Sequence, residues 1–302
     1  MKELLVISGK GGTGKTTIVG AFAGLAKDSF PTETTVLADC DVDAADLHLI
    51  LNPSVRETKE FFGLKRATLD PAKCNNCGAC REVCRFDAIA EHENHIKIEP
   101  ISCEGCAVCF HICPNQAISM KDVTAGRWFV SDTVYGPLVH AKLGVAEENS
   151  GKLVMEVRRE ARRIAETLGS SLIICDGPPG IGCPVISSMS GVDLALIVTE
   201  PTVAGIHDME RLYTLAEGFD VELAVCINKY DLDYEISADI EEFCRKRNID
   251  VAGRVPFDEE VVKALGRGEP IISLGHTGRV SESPAAKAIE QLWAEIFNRL
   301  FV

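Results

Sequence analysis

The segment Ser8-Gly9-Lys10-Gly11-Gly12-Thr13-Gly14-Lys15-Thr16-Thr17 constrains this chain more than any other. It follows an apolar run, Glu3 to Ser8, and opens a helical pattern from Thr16 to Lys27, so a buried strand feeds a glycine-rich turn that starts a helix. In that setting Gly11, Gly12, Thr13, Gly14, Thr16 and Thr17 can curl their backbone N–H groups around an anion. The positive end of the helix reinforces the grip. Lys15 is placed to meet β- and γ-phosphates, and the Thr16 hydroxyl to ligate Mg²⁺.

Further short apolar runs, Thr34 to Ala38, Ser171 to Cys175, Leu194 to Thr199 and Glu222 to Ile227, read as strands buried on both faces. Helical patterns lie between them, at Lys152 to Leu168, Ile206 to Glu217 and Ile236 to Lys246. The alternation predicts an α/β fold, a doubly wound and mostly parallel sheet with helices on both faces. Between the second and third runs the chain is far longer than a crossover needs. The excess, 64–122, is expected to be an inserted domain, leaving 1–63 and 123–302 for the main one. The stretch Arg127 to Ser150 has weak periodicity, and its pattern assigns it no role.

The formal net charge of −14 disfavours a polyanionic partner, because nucleic-acid affinity rests on Lys and Arg neutralising phosphates. No apolar stretch reaches the ~18 residues of a membrane span, and no basic leader precedes an apolar run. The expectation is a soluble, cytoplasmic protein that binds neither nucleic acid nor membrane.

Thirteen cysteines in a chain of that kind point to metal rather than to disulfides. Eight lie in two copies of one pattern offset by 29 residues, Cys74-Cys77-Cys80-Cys84 and Cys103-Cys106-Cys109-Cys113-Pro114. The spacing matches the bacterial two-cluster ferredoxin run, in which the fourth cysteine of each group serves the other cluster. One [4Fe–4S] cluster is then expected on Cys74, Cys77, Cys80 and Cys113, the other on Cys84, Cys103, Cys106 and Cys109. The insert is accordingly expected to be a small α+β ferredoxin-like module. It departs from the pattern at Arg85, where proline is usual, a position that shapes a turn and ligates nothing. Cys40, Cys175, Cys226 and Cys244 read as buried apolar residues.

The second loop lysine, Lys10, gives the glycine segment a resemblance to the deviant-Walker-A ATPases, the superfamily of MinD, ParA and the nitrogenase iron protein, in the branch with an inserted ferredoxin domain. The resemblance implies an ATP- and Mg²⁺-dependent ATPase that dimerises on binding ATP, with Lys10 reaching the partner's nucleotide. It makes Asp41, after the second strand, the residue that orients the attacking water, and Asp176 of Asp176-Gly177-Pro178-Pro179-Gly180 a holder of Mg²⁺ through water. The Gly180 amide is to sense the γ-phosphate. Asn228, Lys229, Pro256 and Asp258 resemble the adenine site. Cys183 stands where the nitrogenase iron protein has its bridging cysteine, without a second cysteine nearby. The C-terminal stripe Ala285, Ile289, Leu292, Trp293, Ile296, Phe297 and Leu300 lacks opposing cations, which favours core docking over a membrane helix.

The function these features imply is an ATPase cycle coupled to low-potential electron transfer through two clusters to a redox client. The alternative is an ATP-dependent factor that assembles clusters or matures metalloproteins. A spatial-positioning role is disfavoured by the acidic charge and by the missing membrane helix.

Overall fold

A computed structural model describes residues 1–30, 32–144, 149–272 and 283–302. In chain order the elements are β1 (Lys2–Ser8), α1 (Lys15–Ser29), β2 (Val36–Asp39), α2 (Leu47–Leu51), β3 (Ser54–Leu69), α3 (Ala79–Glu82), β4 (Ile89–His92), β5 (His95–Ile98), α4 (Val108–Ile112) and β6 (Ile118–Thr133). They continue with β7 (Gly136–Leu143), α5 (Ser150–Leu168), β8 (Leu172–Pro179), α6 (Cys183–Met189), β9 (Leu194–Thr199), α7 (Val203–Ala216), β10 (Glu222–Asn228), α8 (Tyr234–Lys246), β11 (Asp250–Val255), α9 (Glu259–Gly266) and α10 (Pro284–Phe301). Two compact units result. One comprises 1–59, 128–142 and 150–302, and the other 60–127 and 143–149.

The strands of the larger unit run in the order β11-β10-β9-β1-β8-β2-β7, with β1, β2, β8, β9, β10 and β11 pairing in parallel, and the same sheet continues into β6 and β3, most of whose residues fall in the smaller unit. Central strands that read as unbroken Val, Ile and Leu runs are buried on both faces, as in β9 and β10. One face carries α1 and α10. Phe22 and Trp293 meet there at 5.0 Å between ring centroids, and the Trp293 indole N–H donates to Ser29 Oγ at 2.9 Å. The apolar stripe of α10 is therefore a core face: Ala285, Ile289, Leu292, Trp293, Ile296 and Leu300 are buried, with Phe297 packed against them.

Strand β1 has phosphate-loop placement because the sheet reverses its winding beside it, between β9 and β8. Loops leaving the carboxyl ends of β1, β2, β8 and β9 thus converge on one crevice. The weakly periodic stretch from Arg127 is now accounted for by the end of β6, the turn at Val134 and Tyr135, β7 and the start of α5; residues 145–148 lie outside the described set.

In the smaller unit, two cysteine loops each run into a short helix, α3 or α4. They share a satellite core of Ala67, Cys80, Ile89, Ile96, Cys109 and Ile118. Strands β4 and β5 form a hairpin, turning through Glu93 and Asn94, both at positive φ. The repeat seen in the sequence is also a repeat of conformation. Asn76 and Gly105, Gly78 and Ala107, and Asp87 and Gln116 all have positive φ, and each pair is separated by the 29 residues of the cysteine offset.

Candidate functional site

The loop from Ser8 to Lys15 joins β1 to α1, and two glycines in it are required by close approach: a Cβ on Gly9 would lie 2.3 Å from Asp208 Cβ. Gly14 has φ 94°, and a Cβ there would lie 2.3 Å from Asn228 Nδ2. Lys15 is buried, and Thr16 is half-buried at the helix start. Facing them is a group of carboxylates from the ends of two parallel strands. Asp176, on β8, is buried with neither side-chain oxygen receiving a hydrogen bond of normal geometry, although Thr16 lies close enough to favour its charged form. Burial pushes its carboxyl up to about 7, against the pull of Thr16 and Lys15. Asp41 is pushed up to about 6, chiefly by burial, with Lys15 opposing. Asp39, fully buried at the end of β2, is raised further by burial and by Asp176. It accepts hydrogen bonds from the Asp41 and Leu47 amides, each at 3.1 Å, which pins the loop between β2 and α2.

This combination has a plain chemical meaning. A buried carboxylate with no hydrogen bond of normal geometry among the described residues, a threonine hydroxyl close to it and further aspartates make a hard oxygen set suited to Mg²⁺, beside a lysine suited to phosphate. The buried Thr13 hydroxyl, which has no hydrogen-bond partner among the described residues, adds another polar group inside the loop.

Lys10 is in the loop as expected, and the structure shows what holds it. Its Nζ lies 2.6 Å from Glu200 Oε1 and donates to Thr202 Oγ at 3.3 Å. The other Glu200 oxygen pairs with Lys229 Nζ at 3.1 Å, and Lys229 also donates to the Gly12 carbonyl at 3.2 Å. Burial raises the Glu200 carboxyl, yet the two lysines outweigh it and hold the group below the usual carboxylate range. Sequence reasoning missed Glu200. Its one signal is position, directly after a buried parallel strand in Thr199-Glu200-Pro201-Thr202, where crevice residues belong.

Three expected site residues are engaged differently from the expectation. The Gly180 amide donates to the Ser8 carbonyl at 2.9 Å, so sensing a phosphate requires that bond to be released. Asn228 donates through Nδ2 to the Thr13 carbonyl at 2.7 Å, bracing the loop. Asp258 caps α9, accepting from the Glu260 amide at 2.9 Å, and its other oxygen accepts from Ser283 Oγ at 2.6 Å. The short-range demand of a helix N-terminus for an acceptor explains why an aspartate stands at 258. Pro256 and Asp258 both line the cavity beside the loop, together with Thr17, Asn228, Lys229 and Phe257.

In the smaller unit the eight repeated cysteines sort into two sets. One cavity is lined by Cys74, Cys77, Cys80 and Cys113, the other by Cys84, Cys103, Cys106 and Cys109. Burial, and then the neighbouring sulfurs, push the Cys80 and Cys109 thiols up. Cys80 feels Cys74 and Cys113, and Cys109 feels Cys103 and Cys106. The Cys74 and Cys113 sulfurs also accept from the backbone amides of Asn76 and Ala117. Among the described residues no three His, Cys, Asp or Glu side chains converge as ligands of a single metal ion. Of the remaining cysteines, Cys40, Cys175, Cys226 and Cys244 are buried and Cys183 is exposed. Among the described residues no helix is long and apolar enough to cross a membrane.

A strand, a glycine loop and a helix at the reversal of a mostly parallel sheet, with acidic residues from the next strands facing the loop, define a P-loop nucleotide-binding protein. More narrowly, residues 4–271 match the model of the CobQ/CobB/MinD/ParA nucleotide-binding domain, and the chain belongs to that family. An uncharacterised protein of Methanocaldococcus jannaschii is 35% identical, with 93% of each chain covered. The septum site-determining protein MinD of Neisseria meningitidis is 24% identical over 95% of this chain and 89% of its own. Among solved structures, the cell division ATPase MinD of Pyrococcus furiosus shares the fold, at a TM-score of 0.56 and 18% identity, with 98% of both chains covered.

Proposed function

We propose that this chain is a nucleotide-switched iron–sulfur protein, which binds and hydrolyses ATP and couples that cycle to low-potential electron transfer through two [4Fe–4S] clusters to a redox partner. The observation that carries the reading is the sorting of eight cysteines into two cavities of four, with the fourth member of each set contributed by the other repeat. That is the ligand exchange of a two-cluster ferredoxin module. A bound cluster supplies one-electron transfer, and the protein supplies thiolates, backbone N–H donors to sulfur and a small apolar core around them. On this reading 64–122 is the inserted module, and 1–63 with 123–302 the ATPase.

In the ATPase, Lys15 neutralises the β- and γ-phosphates, Thr16 ligates Mg²⁺, and Asp176 holds the ion through water. With a carboxyl value of about 6, Asp41 is largely ionised at neutral pH and accepts a hydrogen bond from the attacking water. Lys10 leaves Glu200 to reach the nucleotide of a second copy, which makes the active species an ATP-dependent homodimer.

The test is iron and sulfide analysis of anaerobically purified protein, followed by EPR-monitored redox titration with Mg·ADP and with a non-hydrolysable Mg·ATP analogue. Two [4Fe–4S] signals are expected, with potentials that differ between the nucleotides, and Cys113→Ser is expected to lower the iron to about half. Absence of iron defeats the cluster assignment. Cys77 and Cys106 are exposed, which favours a second reading in which clusters are handed to a client. Identical potentials in both nucleotide states, with labile iron passing to an apo-protein, would select cluster assembly instead.

A further inference from the structure

The two sets of four cysteines are equivalent by sequence, but the side chains packed around them are not, and the inference drawn from that difference rests on the cluster reading above. The 29-residue offset of the repeat allows the two cavities to be compared position by position. Some positions match. Ala88 and Ile89 line the cavity of Cys84, Cys103, Cys106 and Cys109, as their repeat mates Ala117 and Ile118 line that of Cys74, Cys77, Cys80 and Cys113. The Arg81 and Phe110 amides, another matched pair, favour the Cys80 and Cys109 thiolates alike. Two positions differ. Where the cavity of Cys74 has Asn75, that of Cys103 has Glu104, half-buried; where the first has Asn115, the second has Phe86. Basic neighbours do not cancel this. Lys73 beside Cys74 and Arg85 beside Cys84 are both exposed, and neither lines a cavity.

A thiolate-bound [4Fe–4S] cluster gains one negative charge when it is reduced. A carboxylate in the cavity wall repels that added charge, and an apolar ring in place of an amide leaves it less well solvated. Both differences act in the same direction at the same cavity. We propose that Glu104 and Phe86 make the cluster on Cys84, Cys103, Cys106 and Cys109 the harder of the two to reduce, so that the first electron rests on the cluster held by Cys74, Cys77, Cys80 and Cys113. The electron comes from a low-potential one-electron donor, which is oxidised by one electron as the cluster is reduced by one, and no proton moves.

The experiment is anaerobic titration of the full chain with dithionite, the midpoints being read from EPR intensity, for the wild type, Glu104→Gln and Asn75→Asp. The wild type is expected to reduce in two one-electron steps whose equilibria differ by at least about tenfold, about 59 mV. Glu104→Gln, which keeps the shape of the side chain and removes its charge, should raise the lower step alone. Asn75→Asp, which places a carboxylate at the matching position of the other cavity, should lower the upper step alone. Each shift should be at least about threefold in the reduction equilibrium, the scale of one water-screened charge at close range. Because the variants move different steps, either one with its full iron content decides the matter by itself. Coincident steps in the wild type, a variant whose steps stay in place, or a Glu104→Gln protein in which the upper step moves instead, overturns the inference while leaving two clusters standing. Absence of iron from the wild type overturns the cluster reading and the inference together.

Discussion

At the scale of single residues, the crevice is organised by charge kept out of water. Asp176, Asp41 and Asp39 all have raised carboxyl values, with burial the largest cause in each case. An acid whose folded value lies above its unfolded one holds its proton longer in the folded chain. Stability of the nucleotide-free protein therefore falls as pH rises from the ordinary aspartate value, about 4, to about 7 for Asp176. Thermal melts without Mg²⁺ are expected to show the midpoint dropping over that window. Asp176→Asn should flatten the drop and raise the midpoint at pH 8 by several degrees, the ceiling being about 4 kcal/mol at about 1.4 kcal/mol per pH unit. The same variant should bind Mg·ATP more weakly, since the oxygen set for the ion is reduced. A wild-type midpoint that climbs between pH 5 and 7 and is untouched by the substitution would contradict this electrostatic account.

Among the elements, α5 is tied to the first strand by one buried acid. Glu3 Oε1 lies 2.6 Å from Arg158, and Oε2 lies 2.7 Å from Arg162, while Arg158 also donates to the carbonyls of Ser187 and Ser190. Removing one partner of such a group leaves the rest buried and uncompensated, so Glu3→Gln is expected to cost about 3 kcal/mol in urea denaturation. A loss below about 1 kcal/mol would show the tie to be solvated. The smaller unit offers a test of opposite sign. Ala107 stands at φ 64° where its repeat mate is Gly78 at φ 79°. Ala107→Gly should stabilise that unit by about 1 kcal/mol, measured by its own unfolding transition, and no gain would mean the flexibility of glycine offsets the relief. These elements also show what the sequence made legible. Strands buried on both faces, the glycine loop and the two cysteine repeats are local patterns, and each was readable as such. Strands β3 and β6 were not, because both are long and β6 shows no clean alternation of buried and exposed residues along its length. Glu200 was illegible for another reason: its partners, Lys10 and Lys229, come from segments remote in sequence. Asp258 lines the cavity beside the loop with Asn228, Lys229 and Pro256, and it also caps α9, a second task that the sequence pattern at 258 did not separate from the first.

For the whole molecule, the proposed ATP-dependent homodimer raises the question of how one nucleotide site would come to depend on a second copy. Within a single chain Lys10 is held at 2.6 Å by Glu200, which also holds Lys229 against the phosphate loop. Reaching a partner's phosphates means exchanging that carboxylate for a phosphate, an electrostatically near-even trade that adds a cross-chain contact only when triphosphate is present. Glu200 therefore acts as a counter-ion that keeps Lys10 from engaging other anions in the nucleotide-free chain. Sedimentation velocity with a non-hydrolysable Mg·ATP analogue should give a dimer for the wild type and a monomer for Lys10→Ala at every concentration tested. Glu200→Gln keeps the size and hydrogen-bonding capacity of the side chain but removes its charge. Its dimer should form at a several-fold lower protein concentration, because Lys10 no longer has to leave an ion pair. A Lys10→Ala chain that still dimerises with the analogue would remove the lysine from the interface. A Glu200→Gln dimer weaker than wild type would instead mean that Glu200 bridges the assembled pair rather than restraining the single chain.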